Sequence, residues 1–303
     1  MIDFVHEALF YRDPDQYLAG TVPFVLDGLA ANEPVLVAVP PRNVDLIRAE
    51  LGAKADHVKF LDMTQGGRNP GRIIPGVLTP FANGHPSRVR IIGEPIWAGR
   101  SATEYPACVQ HEALINTAFR DIAATILCPY DTSLLAADVL ADAERTHPVL
   151  VADGGRSPSN RYDDPLRTVT DFNLPLPTPP RSALAYWFDM HSLPATRRLV
   201  ADYATTAGLA EDRVDDLVLA VNELTTNSIE HANGGGELVI WQDGDAVVCE
   251  VRDRGILRDP MIGRLKPTLN SNGGYGAVMV NLLCDLVRIH SAEDGTAVRV
   301  HVG

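Results

Sequence analysis

The sequence predicts two domains of different class: an α/β domain with a mostly parallel sheet, then an α+β two-layer sandwich. Three observations lead to this expectation. Short apolar runs alternate with helical patterns in the first half, two helical patterns precede paired strands in the second, and a proline-rich stretch separates the halves. With 303 residues, 46% hydrophobic and 21% charged, the chain can bury two cores.

In the first half, "PVLVAVP" (34–40), "VRIIGE" (89–94) and "AATILCPYD" (123–131) have the length and apolar content of buried strands. Between them, "PDQYLAGTVPFVLDGLAAN", "RNVDLIRAELG" and "PACVQHEALINTAFR" repeat apolar residues every three to four positions, as helices do. Strands separated by helices imply a parallel sheet covered by those helices. In "DDPLRTVTDFNLPLPTPPRSA" (163–183), Pro165, Pro175, Pro177, Pro179 and Pro180 remove amide hydrogens that a helix or a central strand requires. The stretch is expected to be a semi-rigid, partly extended linker over 163–182, between domains at 1–162 and 183–303. Beyond it, helices are expected at about 194–207 and 212–232, then two strands in "GELVIWQDGDAVVCEVRDRG" joined at Asp243-Gly244-Asp245. A glycine-rich stretch, a helix at about 275–284 and a closing strand pair, "LVRIHSAEDGTAVRVHV", complete the sandwich.

Charge and cysteine usage narrow the function classes. The net charge is −13, and residues 182–303 alone hold 17 acids against 10 bases, so neither half offers the positive face that a nucleic acid backbone requires. Cys108, Cys128, Cys249 and Cys284 are widely spaced and contain no C-x-x-C pair, which fits reduced thiols in a cytosol. The first residues lack a signal-peptide pattern, and no segment has the roughly 20 apolar residues that span a bilayer. A cytoplasmic protein with no membrane or direct nucleic acid partner is expected.

The chemistry of the second half starts with "NELTTNSIEHA" (222–232). Glu223 and Asn227 are four residues apart in a helix, so their side chains converge on one volume. Downstream, "VRDRG" sets Asp253 and Gly255 at a strand end. "NGGYGAVMVNLL" puts Gly273, Gly274 and Gly276 before an apolar helix, where bare amides favour anions, and "EDGTAVRV" places Gly295 and Thr296 at the last strand. The order and spacing of these segments resemble the GHKL superfamily of ATPases, most closely the serine/threonine kinases that act as anti-sigma factors, over residues 183–303. The resemblance implies an ATP site with Mg²⁺ held by Asn227, and Glu223 orienting or deprotonating the attacking hydroxyl. Asp253 would accept from the adenine amino group, Gly255 would let the ring approach the backbone, Gly274 and Gly276 would approach the phosphates, and Thr296 would lie near the base. One departure is that Ile256 and Leu257 follow Gly255 where a second glycine is common. The expected lid, Pro260–Ser271 with Lys266 and Pro267, is short. His191, at a helix entry beside Pro194, has no dimerising coil around it, which disfavours a sensor histidine kinase.

In the first half, "VAVPPRNVD" follows a strand where a G-x-x-x-x-G-K-[ST] phosphate loop would be expected, so the domain is not expected to hydrolyse ATP. The stretches "FVHEALFYRDPDQYLAG", "GRNPGRIIPGVLTPF", "IIGEPIWAGR", "HEALINTAF" and "CPYD" resemble the MEDS sensory domain over about residues 3–155. This implies a RecA-like α/β domain without a Walker loop. A small-molecule ligand is expected near Glu94, Trp97, His111 and Tyr130, because Glu94 and Asp131 stand where parallel strands end. His111, Glu112 and Cys128 raise a metal reading, but H-E-A-L-I lacks the second histidine of H-E-x-x-H. His6 and His147 are expected as hydrogen-bonded core histidines, and Cys128 as a small buried hydrophobe.

Together the resemblances imply a signal-responsive, anti-sigma-factor-type regulator of transcription. It would use ATP and Mg²⁺ to phosphorylate an anti-sigma antagonist, with that antagonist or a sigma factor as partner and with a homodimer as its assembly. The alternative is a non-catalytic module that holds nucleotide and acts by sequestering its partner.

Overall fold

The computed structural model describes residues 4–232, 234–265 and 274–303, and the chain divides into two compact units, Met1–Phe172 and Asn173–Gly303. In the first unit, β1 (Phe4–Tyr11), β2 (Val35–Val39), β3 (Val58–Asp62), β4 (Val89–Gly93), β5 (Ala124–Asp131), β6 (Val149–Ala152) and β7 (Gly155–Pro158) form one sheet. The strand order is β3-β2-β4-β5-β1-β6-β7, and every pairing is parallel except β6 with β7. Helices Pro14–Ala30, Pro41–Leu51 and Tyr105–Ala118 fall on the three segments with helical spacing. β2 is buried at all five positions, which explains why it reads as an unbroken apolar run.

Periodicity does not predict β1, although β1 pairs with both β5 and β6 inside the sheet. Its segment FVHEALFY carries His6 and Glu7, and both are buried, so polar residues sit where the pattern requires apolar ones. The proline-rich stretch also departs from expectation, since Pro165–Asp171 is a helix. Asp164 caps it by accepting from the amides of Leu166 and Arg167 at 2.8 and 3.1 Å. Pro165 occupies the first helical position, where the missing N–H has no partner to lose. Gln110 Nε2 then ties the helix down by donating to the carbonyls of Val169 and Phe172 at 3.3 and 3.2 Å.

In the second unit, β8 (Leu184–Asp189), β9 (Gly235–Asp243), β10 (Ala246–Asp253), β11 (Leu286–Ala292) and β12 (Gly295–Val302) form an antiparallel sheet in the order β11-β12-β10-β9-β8. The β9–β10 turn holds Gly244 at φ 60°, a left-handed conformation that glycine adopts without strain. Helix Glu211–His231 buries Val214, Leu217, Ala220, Val221 and Leu224, a stripe at three and four residue spacing, against Leu238, Ile240, Val247, Cys249, Val251 and Val300. Each Val, Leu or Ile side chain among them contributes about 1.5–3 kcal/mol when fully buried.

The strand period of two sets up the site. Val247, Cys249 and Val251 face this core, so Asp253 at the end of β10 faces the same way. On β12, Val298, Val300 and Val302 do likewise, so Thr296 shares that side, and the register pairs it with Asp253. Among the described residues no helix is long and apolar enough to cross a membrane, and the four cysteines are buried and form no disulfide.

Candidate functional site

Asp253 is held from two sides. Ser228, five residues beyond Glu223 on the Glu211–His231 helix, donates its hydroxyl to Asp253 Oδ2 at 2.6 Å, and the Gly255 N–H donates to Oδ1 at 2.8 Å. A second hydrogen-bonded link continues from there. Thr296 Oγ1 donates to the Gly255 carbonyl at 2.8 Å and lies 2.7 Å from Ser291 Oγ, which accepts from the Leu257 N–H at 2.9 Å. A Cβ at Gly255 would come within 2.7 Å of Ala232 Cβ, so only glycine allows this close approach. A cavity of about 210 Å³ opens beside these groups, lined by Asn227, Ser228, Asp253, Gly255 and Thr296, with Val251, Ile256, Leu257 and Val298 among its apolar walls. Gly274, Gly276 and Asn281 close another side. Asn281 Nδ2 donates to the Gly263 carbonyl at 3.2 Å, tying the preceding loop to the Tyr275–Leu283 helix.

Asn227 and Glu223 sit one helical turn apart. The Asn227 amide lines the cavity and makes no hydrogen bond among the described residues, which leaves its oxygen available. One amide oxygen suits Mg²⁺, which takes hard oxygen ligands and draws most of its shell from phosphates and water. Glu223 lies outside the cavity lining. Its carboxylate rests against Gly276, where a Cβ would overlap Glu223 Oε2. Gly276 is in the first turn of the Tyr275–Leu283 helix, whose cap Gly274 has φ 95°, so Glu223 stands at a helix N-terminus that favours negative charge. Gly273, Lys266 and Pro267 lie outside the described residues. His191 is exposed in the turn before helix Leu193–Thr206, and Arg197 Nη1 donates to Asn222 Oδ1 at 2.9 Å.

Ser228 and Ser291 are not singled out by sequence reasoning. A serine within a helix has no distinctive spacing, and only the tertiary fold brings Ser228 to Asp253, 25 residues away.

In the first unit the four residues expected near a ligand differ in burial and in partners. Glu94 follows β4, is buried, and accepts from Asn43 Nδ2 at 2.8 Å. Burial pushes its carboxyl up to about 8, against the hydrogen bond from Asn43 and with the Asp131 charge adding to the rise. Trp97 carries the Arg100 guanidinium 4.0 Å above its ring. His111 is buried in the Tyr105–Ala118 helix. Tyr130 donates to Glu112 Oε1 at 3.2 Å and meets the His147 ring edge-on, so it adjoins a buried group of His6, Glu112, Cys128 and His147. A cleft of about 830 Å³ elsewhere in the unit is lined by Glu7, Arg88, Arg90 and Arg156 among others, and by none of the four.

Residues 5–148 match the family described as MEDS, the MEthanogen/methylotroph, DcmR Sensory domain, and residues 186–302 match the Histidine kinase-like ATPase domain. No curated protein matches the chain. A solved structure, the RsbU and RsbW domains of Rv1364c from Mycobacterium tuberculosis, is 22% identical with a TM-score of 0.30. It covers 41% of this chain, which in turn spans 32% of that one.

Proposed function

Since the chain joins a MEDS domain to a histidine kinase-like ATPase domain, we propose that it is a signal-responsive regulator whose second unit phosphorylates a serine or threonine of an anti-sigma antagonist, using ATP and Mg²⁺. The observation that supports this most is the Asp253 carboxylate, held by Ser228 and the Gly255 amide at the edge of an apolar cavity. Two donors orient that carboxylate and leave it lone pairs. It accepts from the amino group of adenine, and it disfavours guanine, which presents an oxygen at that position. Val251, Ile256 and Val298 cover the ring faces.

Asn227 would hold Mg²⁺ through its amide oxygen, and the ion would supply charge compensation for the transferred phosphoryl group. Glu223, one turn away, orients the partner's hydroxyl and accepts its proton as the oxygen bonds to the γ-phosphorus and ADP leaves. The N-terminal end of the Tyr275–Leu283 helix, where the helix dipole favours anions, would lie toward the phosphates.

A second reading is a module that binds nucleotide and acts by sequestering its partner. Ile256 and Leu257 favour it, because they line the cavity where a second glycine is common and would let the nucleotide fit more closely against the backbone. Incubating the full chain with labelled ATP, Mg²⁺ and candidate antagonists separates the two. Transfer to serine or threonine that is lost in Glu223→Ala, with ATP still bound, supports the kinase. Binding without transfer to any antagonist selects the module, and no binding at saturating ATP and Mg²⁺ rejects both.

A further inference from the structure

We propose that the first unit holds one divalent late first-row cation, zinc by preference, in a closed site made by His6, Glu112, Cys128 and His147. The four residues come from β1, the Tyr105–Ala118 helix, β5 and the end of the Ala137–Thr146 helix, and all are buried. Their ligand atoms lie within 4.8 Å of one another. Glu112 Oε2 is 3.3 Å from His6 Nε2, 3.4 Å from His147 Nε2 and 3.6 Å from Cys128 Sγ, and Cys128 Sγ is 3.5 Å from His6 Nε2. A tetrahedral zinc site with ordinary bond lengths has edges of about 3.3–3.6 Å.

Hydrogen bonding around the group identifies which atoms point inward. His6 Nδ1 faces Asn116 Oδ1 at 3.2 Å, and Asn116 is itself anchored by its Nδ2 to the Thr146 carbonyl at 2.8 Å. His147 Nδ1 faces the Ala143 carbonyl at 2.8 Å. Both acceptors require an N–H at Nδ1, so each neutral ring carries a lone pair at Nε2. Both Nε2 atoms are turned toward the same carboxylate oxygen, and His147 Nε2 is buried without a hydrogen bond. The other Glu112 oxygen accepts from Tyr130.

Without a cation, two imidazole lone pairs would face a carboxylate with one thiol hydrogen among them. Protonating one ring would pair it with Glu112 but leave the other lone pair facing that carboxylate, and protonating both would bury two imidazolium groups whose centroids are 4.0 Å apart. A cation at the centre removes this conflict. Two neutral imidazoles, a carboxylate and a thiolate make a neutral site around a divalent ion, and the thiol proton leaves to solvent on binding. Imidazole and thiolate donors select zinc-class ions over Mg²⁺ or Ca²⁺. Asn116, the Ala143 carbonyl and Tyr130 are the outer partners that orient metal ligands.

The test begins with metal analysis of the full chain purified without chelator, where one zinc per chain is expected. The chain is then unfolded with chelator and refolded with Co²⁺. A thiolate-to-cobalt charge-transfer band and the intense visible bands of tetrahedral cobalt are expected, with the charge-transfer band lost in Cys128→Ala and kept in Cys108→Ala. Tyr130→Phe and Asn116→Ala, which leave the four ligands in place, should weaken cobalt binding about 10- to 100-fold in chelator competition while retaining the native circular dichroism. Refolded wild type with native circular dichroism that takes up neither zinc nor cobalt overturns the proposal. So does a charge-transfer band that survives Cys128→Ala, or an unchanged affinity in both outer variants.

Discussion

Replacing Glu94 by glutamine removes a carboxyl that the fold holds protonated near neutral pH. Glu94 is 4% exposed and its carboxyl rises from 4.5 to about 8, chiefly through burial. The unfolded chain loses this proton near 4.5 and the native chain keeps it to about 8. Between those values the native state binds more protons, so stability falls as pH rises. At about 1.4 kcal/mol per pH unit, the loss reaches about 3 kcal/mol by pH 7 and levels off at about 5 kcal/mol above pH 8. Glutamine cannot ionise, yet its amide oxygen can still accept the 2.8 Å hydrogen bond from Asn43. Urea unfolding of wild type and Glu94→Gln from pH 5 to 9, followed by hydrogen exchange in peptides from β2 and β4, measures the difference. The variant should match wild type near pH 5 and become progressively more stable above it. A difference that changes by less than about 1 kcal/mol across the range refutes the reasoning.

Other expected outcomes concern the second unit. Ser228→Ala removes the 2.6 Å donor to Asp253 and should lower ADP affinity about 10-fold by calorimetry, the loss of one charge-assisted hydrogen bond. Gly276→Ala pushes the Glu223 carboxylate aside, so phosphoryl transfer should slow by about 10-fold or more while nucleotide affinity changes far less; a parallel loss of both would mean that Gly276 serves the nucleotide. Gly295→Ala puts a Cβ against the Asp253 carbonyl at φ 138° and should cost about 3 kcal/mol in equilibrium unfolding. Glu250→Ala leaves Arg299, 5% exposed and bonded to Glu250 at 2.6 Å, without its carboxylate, with an expected loss of about 3–5 kcal/mol in the same assay.

The two sites differ in how much of them is local in sequence. Glu223 and Asn227 are legible because helical spacing alone puts them on one side. Asp253 and Thr296 are legible through the family resemblance of their segments, and the structure adds that each continues an alternating strand whose inward face is apolar. Ser228 is not, since its role depends on a partner in another element. In the first unit the same limitation is stronger. His6, Glu112, Cys128 and His147 come from four elements, with successive members 106, 16 and 19 positions apart in sequence, so no short motif contains two of them. Their burial also hides β1, because a strand with His6 and Glu7 inside its apolar run fails the pattern by which strands are recognised. Pro165 opposes a helix only where its missing N–H would be needed, and in a first turn it is not.

Asp253 and Glu112 show how the surroundings of a carboxylate decide what it can recognise. Around Asp253 the neighbours are donors, a hydroxyl and an amide N–H, which orient both oxygens and leave outward lone pairs beside an apolar cavity. Such a carboxylate is suited to a neutral donor such as an exocyclic amino group, since the cavity walls disfavour a hydrated ion. Around Glu112 Oε2 the inward atoms are two imidazole nitrogens whose protons are committed elsewhere, and a sulfur. Acceptors gathered on acceptors repel unless something positive lies between them, and the four side chains that form this shell are at most 1% exposed. The Asp253 arrangement therefore selects a ligand that comes and goes, while the Glu112 arrangement selects an ion that stays with the fold. Exchange should differ accordingly: nucleotide should leave the second unit on dilution, whereas chelator should strip the first unit's metal only under conditions that unfold it.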